Sequence, residues 1–336
     1  MRLTKLVPAM GLLAAAAAPS MGVELANGTI SINGEVSVVA AYTDIEGAGL
    51  TIGHLADPEA GDTDAFGIMA EFELGLTYRV GEDVDATILI YGDDEGDVNL
   101  DEAYIVWQAH EQFALTAGYY GNWLGYGPAE DLTVTDSLVN NVLAGDNVVG
   151  FSGSSTVMDD GEQSFDVAAH IFKGSPHLGT LEGTDIGFAL SAGYSNSAFG
   201  SVGGSLTWQP DDDDDVIVFN VFAEITMIDD LIIAGDLYYV DLMDNDVIGL
   251  SVLANYTLPT EFPSSITGGI SLLLDENGAL TGAPDDETVI EIQLAYLMNP
   301  TGNENFGINF EFKYTMYDEI DDDDMGLFAQ FIATIP

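Results

Sequence analysis

The residues of this chain that could do chemistry are its carboxylates. It has 57 acids against five bases, four histidines and no cysteine. Without cysteine, disulfides and thiolate metal sites drop out. His54, His110, His170 and His177 form no pair with zinc-motif spacing, and no phosphate-binding glycine motif occurs. A serine nucleophile would need a histidine and an acid brought together in space, and candidate serines abound. What recurs instead is a polar or charged residue at every second position: Glu71 and Glu73, Glu291 and Gln293, Glu311 and Lys313. A second group lies within 121–146, where Glu130, Asp131, Asp136 and Asp146 accompany Asn140 and Asn141. Carboxylates ringing a narrow aqueous passage favour cations and repel anions, and low-dielectric walls focus that potential. Solvated acidic surface is the competing reading of the same residues. It is also the plainer account of the aspartate runs 211–215 and 321–324, which lack the spaced ligands and turn glycine of a calcium loop.

The elements that carry these acids have a period of two. In 305–317, "NFGINFEFKYTMY", Phe306, Ile308, Phe310, Phe312, Tyr314 and Met316 alternate with Gly307, Asn309, Glu311, Lys313, Thr315 and Tyr317. The same pattern returns in 65–80, 216–228, 247–258 and 287–298. A period of two marks a strand with two unlike faces. Such runs number about 16, most of them longer than the five or six residues usual for a soluble strand and close to the 9–11 a tilted transmembrane strand needs. No run after residue 22 approaches the length and apolarity of a membrane helix.

A net charge of −52 combined with a positive mean hydropathy of +0.19 requires the charge to be segregated from the apolar surface. The first 22 residues, with Arg2 and Lys5 ahead of the apolar run Leu6–Ala18 and small residues after it, read as a secretory signal peptide. Beyond them only Arg79, Lys173 and Lys313 remain as bases, and so acidic a chain is no partner for nucleic acid.

If the first strand runs outward, every connection longer than about ten residues falls on the external side, as in outer-membrane barrels with their short periplasmic turns. Tyr42, Tyr78, Tyr119, Tyr194, Trp208, Tyr239, Tyr256 and Tyr314 stand near the ends of apolar faces, where headgroup-level girdles form. A spanning sheet cannot leave an edge unpaired in hydrocarbon, so it must close. The expected fold is all-β: a closed antiparallel transmembrane β-barrel of about 16 strands, one domain over 23–336, wide enough to hold water.

Within 101–140, a strand with "EAY" near its start, a tight turn, a strand ending "AGYY" and a long loop with "GYG" resemble bacterial general porins, nearest to the OmpL-like group of β-barrel porins. The resemblance implies a trimer and a third external loop, here 121–146, that folds inward and narrows the barrel. Two departures stand out. General porins usually end in an aromatic residue, whereas this chain ends Ile335-Pro336 with Phe331 the nearest ring; and the arginine cluster that usually faces the inward loop has no counterpart among three bases.

The expected passage is therefore lined by Glu71, Glu73, Glu102, Tyr104, Glu291, Glu311 and Lys313, by His170, Glu224 and Asp236 on other strands, and by Glu130, Asp131, Asp136, Asn140, Asn141 and Asp146 of the loop. The expected function is passive, cation-preferring diffusion of small hydrophilic solutes through the outer membrane of a Gram-negative-type cell. Lipid and lipopolysaccharide are the expected partners, and no cofactor, metal or catalytic residue is expected. A sugar- or peptide-specific channel would instead use a track of tyrosines such as Tyr91, Tyr104, Tyr120 and Tyr238. An outer-membrane enzyme or adhesin, and a secreted β-sandwich or propeller, are the other readings.

Overall fold

The computed structural model of the chain describes residues 23–25, 30–45, 64–93, 97–121, 123–124, 132–144, 147–173, 186–210, 215–242, 245–278, 280, 286–300, 305–319 and 323–335. Its strands are β1 Val23–Leu25, β2 Ile30–Ile45, β3 Asp64–Arg79, β4 Val84–Gly92, β5 Val98–His110, β6 Phe113–Tyr120, β7 Val148–Asp159, β8 Gln163–Lys173 and β9 Gly187–Asn196. There follow β10 Gly200–Gln209, β11 Val216–Ile228, β12 Leu231–Leu242, β13 Asn245–Thr257, β14 Ser264–Asp275, β15 Glu287–Met298, β16 Phe306–Tyr317 and β17 Asp324–Ile335. Among the described residues one α-helix, α1 Leu138–Leu143, lies between β6 and β7, and a 3-10 turn, Glu276–Gly278, follows β14.

Each strand from β2 onward pairs antiparallel with the next, and β17 returns to β2 with Asp324 opposite Ile45 and Ile335 opposite Gly34. The sheet is thus a closed barrel of 16 strands. The stub β1 pairs with β2 from Val23 opposite Ile32 to Leu25 opposite Ile30, so it continues along the β2 edge from the point where β17 ends. In this meander the connections alternate between two rims, and the four longest, 46–63, 121–147, 174–186 and 276–286, share one of them. Short turns close the other, with Gly81 and Gly161 at φ +84°, where a side chain would be strained.

Alternation separates two solvents. The outward face exposes Phe66 at 71%, Leu190 at 61% and Phe310 at 48%, while the inward face buries Asn220, Gln293 and Lys313 almost completely. An apolar wall of this extent has no place in water; it suits hydrocarbon, in which only a closed sheet satisfies its backbone. The inner face is not polar throughout. Near the loop rim of β11–β15 the inward residues Val216, Val218, Tyr238, Val240, Val247, Leu273 and Val289 are apolar and buried. Both faces of those strand ends are greasy because something apolar packs inside the barrel.

Candidate functional site

What packs there is the described part of the connection 121–147. Both of its stems are gripped by consecutive residues of β5. The Gly121 amide donates to Glu102 Oε1 at 2.7 Å, and Asn147 Nδ2 donates to the Asp101 carbonyl at 2.7 Å and to Asp101 Oδ1 at 3.1 Å. A register shift between β4 and β5 falls at this point, where Leu89 faces Glu102 and Ile90 faces Leu100. Bulges of this kind re-aim side chains, and here two neighbouring carboxyl-bearing residues serve the same loop.

From its first stem the chain turns inward. Trp123 stacks on His170 with ring centroids 4.1 Å apart, leans on Phe172, and donates from Nε1 to Thr207 Oγ1 at 3.0 Å. Further on, Ser137 caps α1 by accepting from the Asn140 amide at 3.3 Å. Six residues make a marginal helix by themselves. Its stability comes from Leu138, Val139 and Leu143, all wholly buried in the apolar patch of the wall. At about 1.5–3 kcal/mol for each side chain of this size, that seat holds the helix inside. Gly249 on β13 makes the room: a Cβ there would stand 2.7 Å from Leu143 Cδ1 and 2.9 Å from Val139 Cγ1.

Between stem and helix, 132–138 lies along β14–β16. Glu311 accepts from the Val134 amide at 2.6 Å, from the Thr135 amide at 3.3 Å and from the Thr135 hydroxyl. Glu291 Oε1 accepts from the Leu138 amide at 2.8 Å, and its Oε2 lies 3.5 Å from Lys313 Nζ. Lys313 also donates to the Asp136 carbonyl, Gln293 Nε2 to the Thr135 carbonyl at 2.9 Å, and the Thr267 hydroxyl to the Leu132 carbonyl. Val134 reaches across to Val39, Ala41 and Phe328 on β2 and β17.

The opposite wall, β2–β5, carries the exposed Glu73 and the half-buried Glu35, Glu71 and Glu102. Glu73 faces Glu35 directly across β2 and β3 and is exposed. Glu71 is half-buried and accepts from the Tyr91 hydroxyl at 2.7 Å. Like charges directly opposite one another destabilise a sheet, so this face gives up some stability. Among the described residues two bases face inward, and both are in ion pairs: Lys313 with Glu291, and Arg79 with Asp85 at 3.0 Å near the turn rim.

The residues singled out from sequence thus separate into groups. Glu71, Glu73, Glu102 and Tyr104 lie together on β3–β5. Glu291, Glu311 and Lys313 face inward too, but they are buried beneath the loop rather than open to a passage, because the loop amides need acceptors there. Asp136, Asn140 and Asn141 belong to the inserted loop, with Asn140 buried in α1. His170 lies behind Trp123. Asp236 is buried beside Asn220, whose Nδ2 donates to it at 3.3 Å, and Glu224 is half-buried on neighbouring β11. Glu130, Asp131 and Asp146, the leader over 1–22, His54, His177 and most of the two aspartate runs lie outside the described residues. Sequence reasoning missed Trp123, Thr267, Glu35 and Asp101 as site residues, and it named Gln293 only for its place in the alternation. Strand parity alone marks Gln293 and Glu35 as inward, whereas nothing local marks Trp123.

No known family description and no curated protein sequence matches the chain. Solved structures do. The outer membrane channel DcaP of Acinetobacter baumannii superposes with a TM-score of 0.63 at 16% identity, covering 93% of this chain and 99% of that one. OprB of Pseudomonas putida gives a TM-score of 0.67 at 11% identity over 91% and 94% of the two chains. An anion-selective porin from Comamonas acidovorans gives 0.59 at 12% identity over 91% and 99%. The chain has the porin fold. At these identities the likeness speaks for the fold alone. An anion-selective channel on the same porin fold means that the sign of selectivity must be argued from each chain's own charges.

Proposed function

We propose that the protein is an outer-membrane porin, a water-filled channel through which small hydrophilic solutes diffuse with a preference for cations. The observation that carries this reading is the closed barrel, apolar outside and polar inside, whose β2–β5 wall presents Glu35, Glu71, Glu73 and Glu102. Both inward bases among the described residues are held by carboxylates. Carboxylates in a narrow aqueous space concentrate cations. Residues 1–22 act as the export leader ahead of a single barrel domain over 23–336, and lipid and lipopolysaccharide surround the apolar wall. A homotrimer follows from the resemblance to general porins. Diffusion needs no cofactor, metal or catalytic group, so the protein is not an enzyme.

The tyrosine track of a solute-specific channel gains little support: Tyr120 and Tyr238 are buried in the loop-side cluster and Tyr104 packs against it, which leaves Tyr91. Purified protein in a planar bilayer under a potassium chloride gradient tests the proposal. A reversal potential on the potassium side is expected; one on the chloride side, or no conductance at all, would overturn it.

A further inference from the structure

Three connections of the loop rim repeat one arrangement on the outer surface. Trp208 near the end of β10 donates from Nε1 to Asp215 Oδ2 at 2.9 Å. The Tyr239 hydroxyl on β12 donates to Asp246 Oδ1 at 2.7 Å, and the Tyr314 hydroxyl on β16 donates to Asp323 Oδ2. Each ring stands on one strand and its acid near the start of the next, seven, seven and nine residues on. The rings face outward. Trp208 is 41% exposed and stacks on Phe188, Tyr239 is in register with Phe219, and Tyr314 with Ile292. Asp215 and Asp323 come from the two aspartate runs. Asp241 faces Asp246 across β12 and β13, and the Asp246 amide donates to Glu276 at 3.1 Å. At the turn rim the Tyr194 hydroxyl meets a neutral amide instead, Gln163 Oε1, at 2.6 Å.

Below the three pairs the wall is apolar and suits hydrocarbon, so by continuity the pairs stand at the level of the headgroups. The protein brings almost no positive charge to that level. Beyond residue 22 the chain has three bases. Lys313 is buried inside, Arg79 pairs with Asp85 near the turn rim, and Lys173, in register with outward Val149, stands at the loop rim. Anionic headgroups would meet like charge there unless a divalent cation intervened. Each ring bond uses one oxygen of its carboxylate, which can accept at about four sites. An ammonium group donates to carboxylates with the assistance of charge and is drawn to an aromatic face.

We propose that the loop rim is a docking collar for lipid headgroups that carry an ammonium group, with Trp208–Asp215, Tyr239–Asp246 and Tyr314–Asp323 as its contact points. The ring fixes the carboxylate and offers its face, and the carboxylate supplies the charge. This rests on the outer-membrane reading and is independent of conduction.

Quenching of tryptophan fluorescence by brominated lipid tests it. Trp107 lies toward the turn rim and is replaced in a Trp107→Phe background, while Trp123 is enclosed in the barrel, so Trp208 reports on the collar. The full-length protein is reconstituted at low salt with a chelator in mixtures of phosphatidylethanolamine and brominated phosphatidylglycerol. Trp208 should be quenched less than the mole fraction of phosphatidylglycerol requires, a preference of roughly 1.5- to 5-fold for the ammonium lipid, the range of an exposed ion pair. Asp215→Asn, Asp246→Asn and Asp323→Asn together keep an acceptor for each ring, remove the charge and should abolish the preference. Salt at about 1 M, with a Debye length of about 3 Å, should do the same to the parent and serves where the triple variant does not fold. No preference, a preference for phosphatidylglycerol, or one that survives high salt unchanged would overturn the proposal. Equal binding with chelator followed by a gain for phosphatidylglycerol on adding calcium would overturn it in favour of a divalent-cation bridge. No quenching at any mole fraction would remove the membrane reading and the collar with it. A collar that prefers the ammonium lipid in a protein that does not conduct would remove the channel reading alone.

Discussion

The indole of Trp123 lies on the imidazole of His170, ring centroids 4.1 Å apart and planes inclined by 24°, while its Nε1 reaches Thr207 across two strands. One side chain thereby ties the incoming stem of the loop to β8 and β10. Trp123→Ala removes the stack, the hydrogen bond and the filled volume together. Cavity formation at a buried aromatic costs about 3–5 kcal/mol. The variant should unfold at lower urea concentration in detergent, and its unitary conductance should change because the stem is loosened.

Glu73 and Glu35 face each other across β2 and β3. Glu73→Gln relieves a like-charge pair, worth roughly 0.2–1 kcal/mol, and removes part of the field of that wall. The expected outcome is a barrel at least as resistant to denaturant as the parent, with a reversal potential moved toward zero. Glu73→Lys should move it further in the same direction, which bilayer recording reads directly.

Selectivity that arises from fixed carboxylates is screened by salt. The Debye length is about 10 Å at 0.1 M and about 3 Å at 1 M. For the same concentration ratio, the cation preference measured around 1 M potassium chloride should be smaller than that around 0.1 M. A preference independent of salt would point to contact with dehydrated ions.

Gly249 leaves α1 room to approach the wall. Gly249→Val places methyl groups where Leu143 and Val139 now pack. Overpacking of this kind costs about 1–3 kcal/mol and should push the loop away from its seat toward the lumen axis. A lower unitary conductance with the same ion preference is the expected result.

Leu190 points outward from β9 and Glu224 inward from β11. Leu190→Lys puts an ammonium on the lipid face, at a cost of about 2–4 kcal/mol near the midplane. Glu224→Lys leaves the charge facing inward. Folding into lipid vesicles, followed by heat-dependent gel migration, should be impaired for the first and normal for the second.

Much of the fold was legible in the sequence because each strand carries its own instruction. In β16, Phe310 and Phe312 against Glu311 and Lys313 state which side is oil and which is polar, with no reference to any other strand. Sixteen such strands and the uneven connections lead to a closed barrel, and the inward direction of Glu71, Glu73, Glu291 and Glu311 follows from parity. The exceptions are instructive. Val216 and Val218 alternate with Ile217 and Phe219, so a period of two cannot distinguish their faces.

The site was only partly legible. Glu73 and Glu311 look alike in sequence, each at an inward position between aromatic or aliphatic neighbours. One stands exposed opposite Glu35, and the other is covered by Val134 and Thr135, 177 and 176 positions away in the chain. From the sequence alone came the two solvents, the strand count and the excess of carboxylates, because alternation and composition are local properties. Only the tertiary structure decided which carboxylates hold the loop and which stay open, because that depends on where a 27-residue connection, 121–147, comes to rest inside the barrel it belongs to.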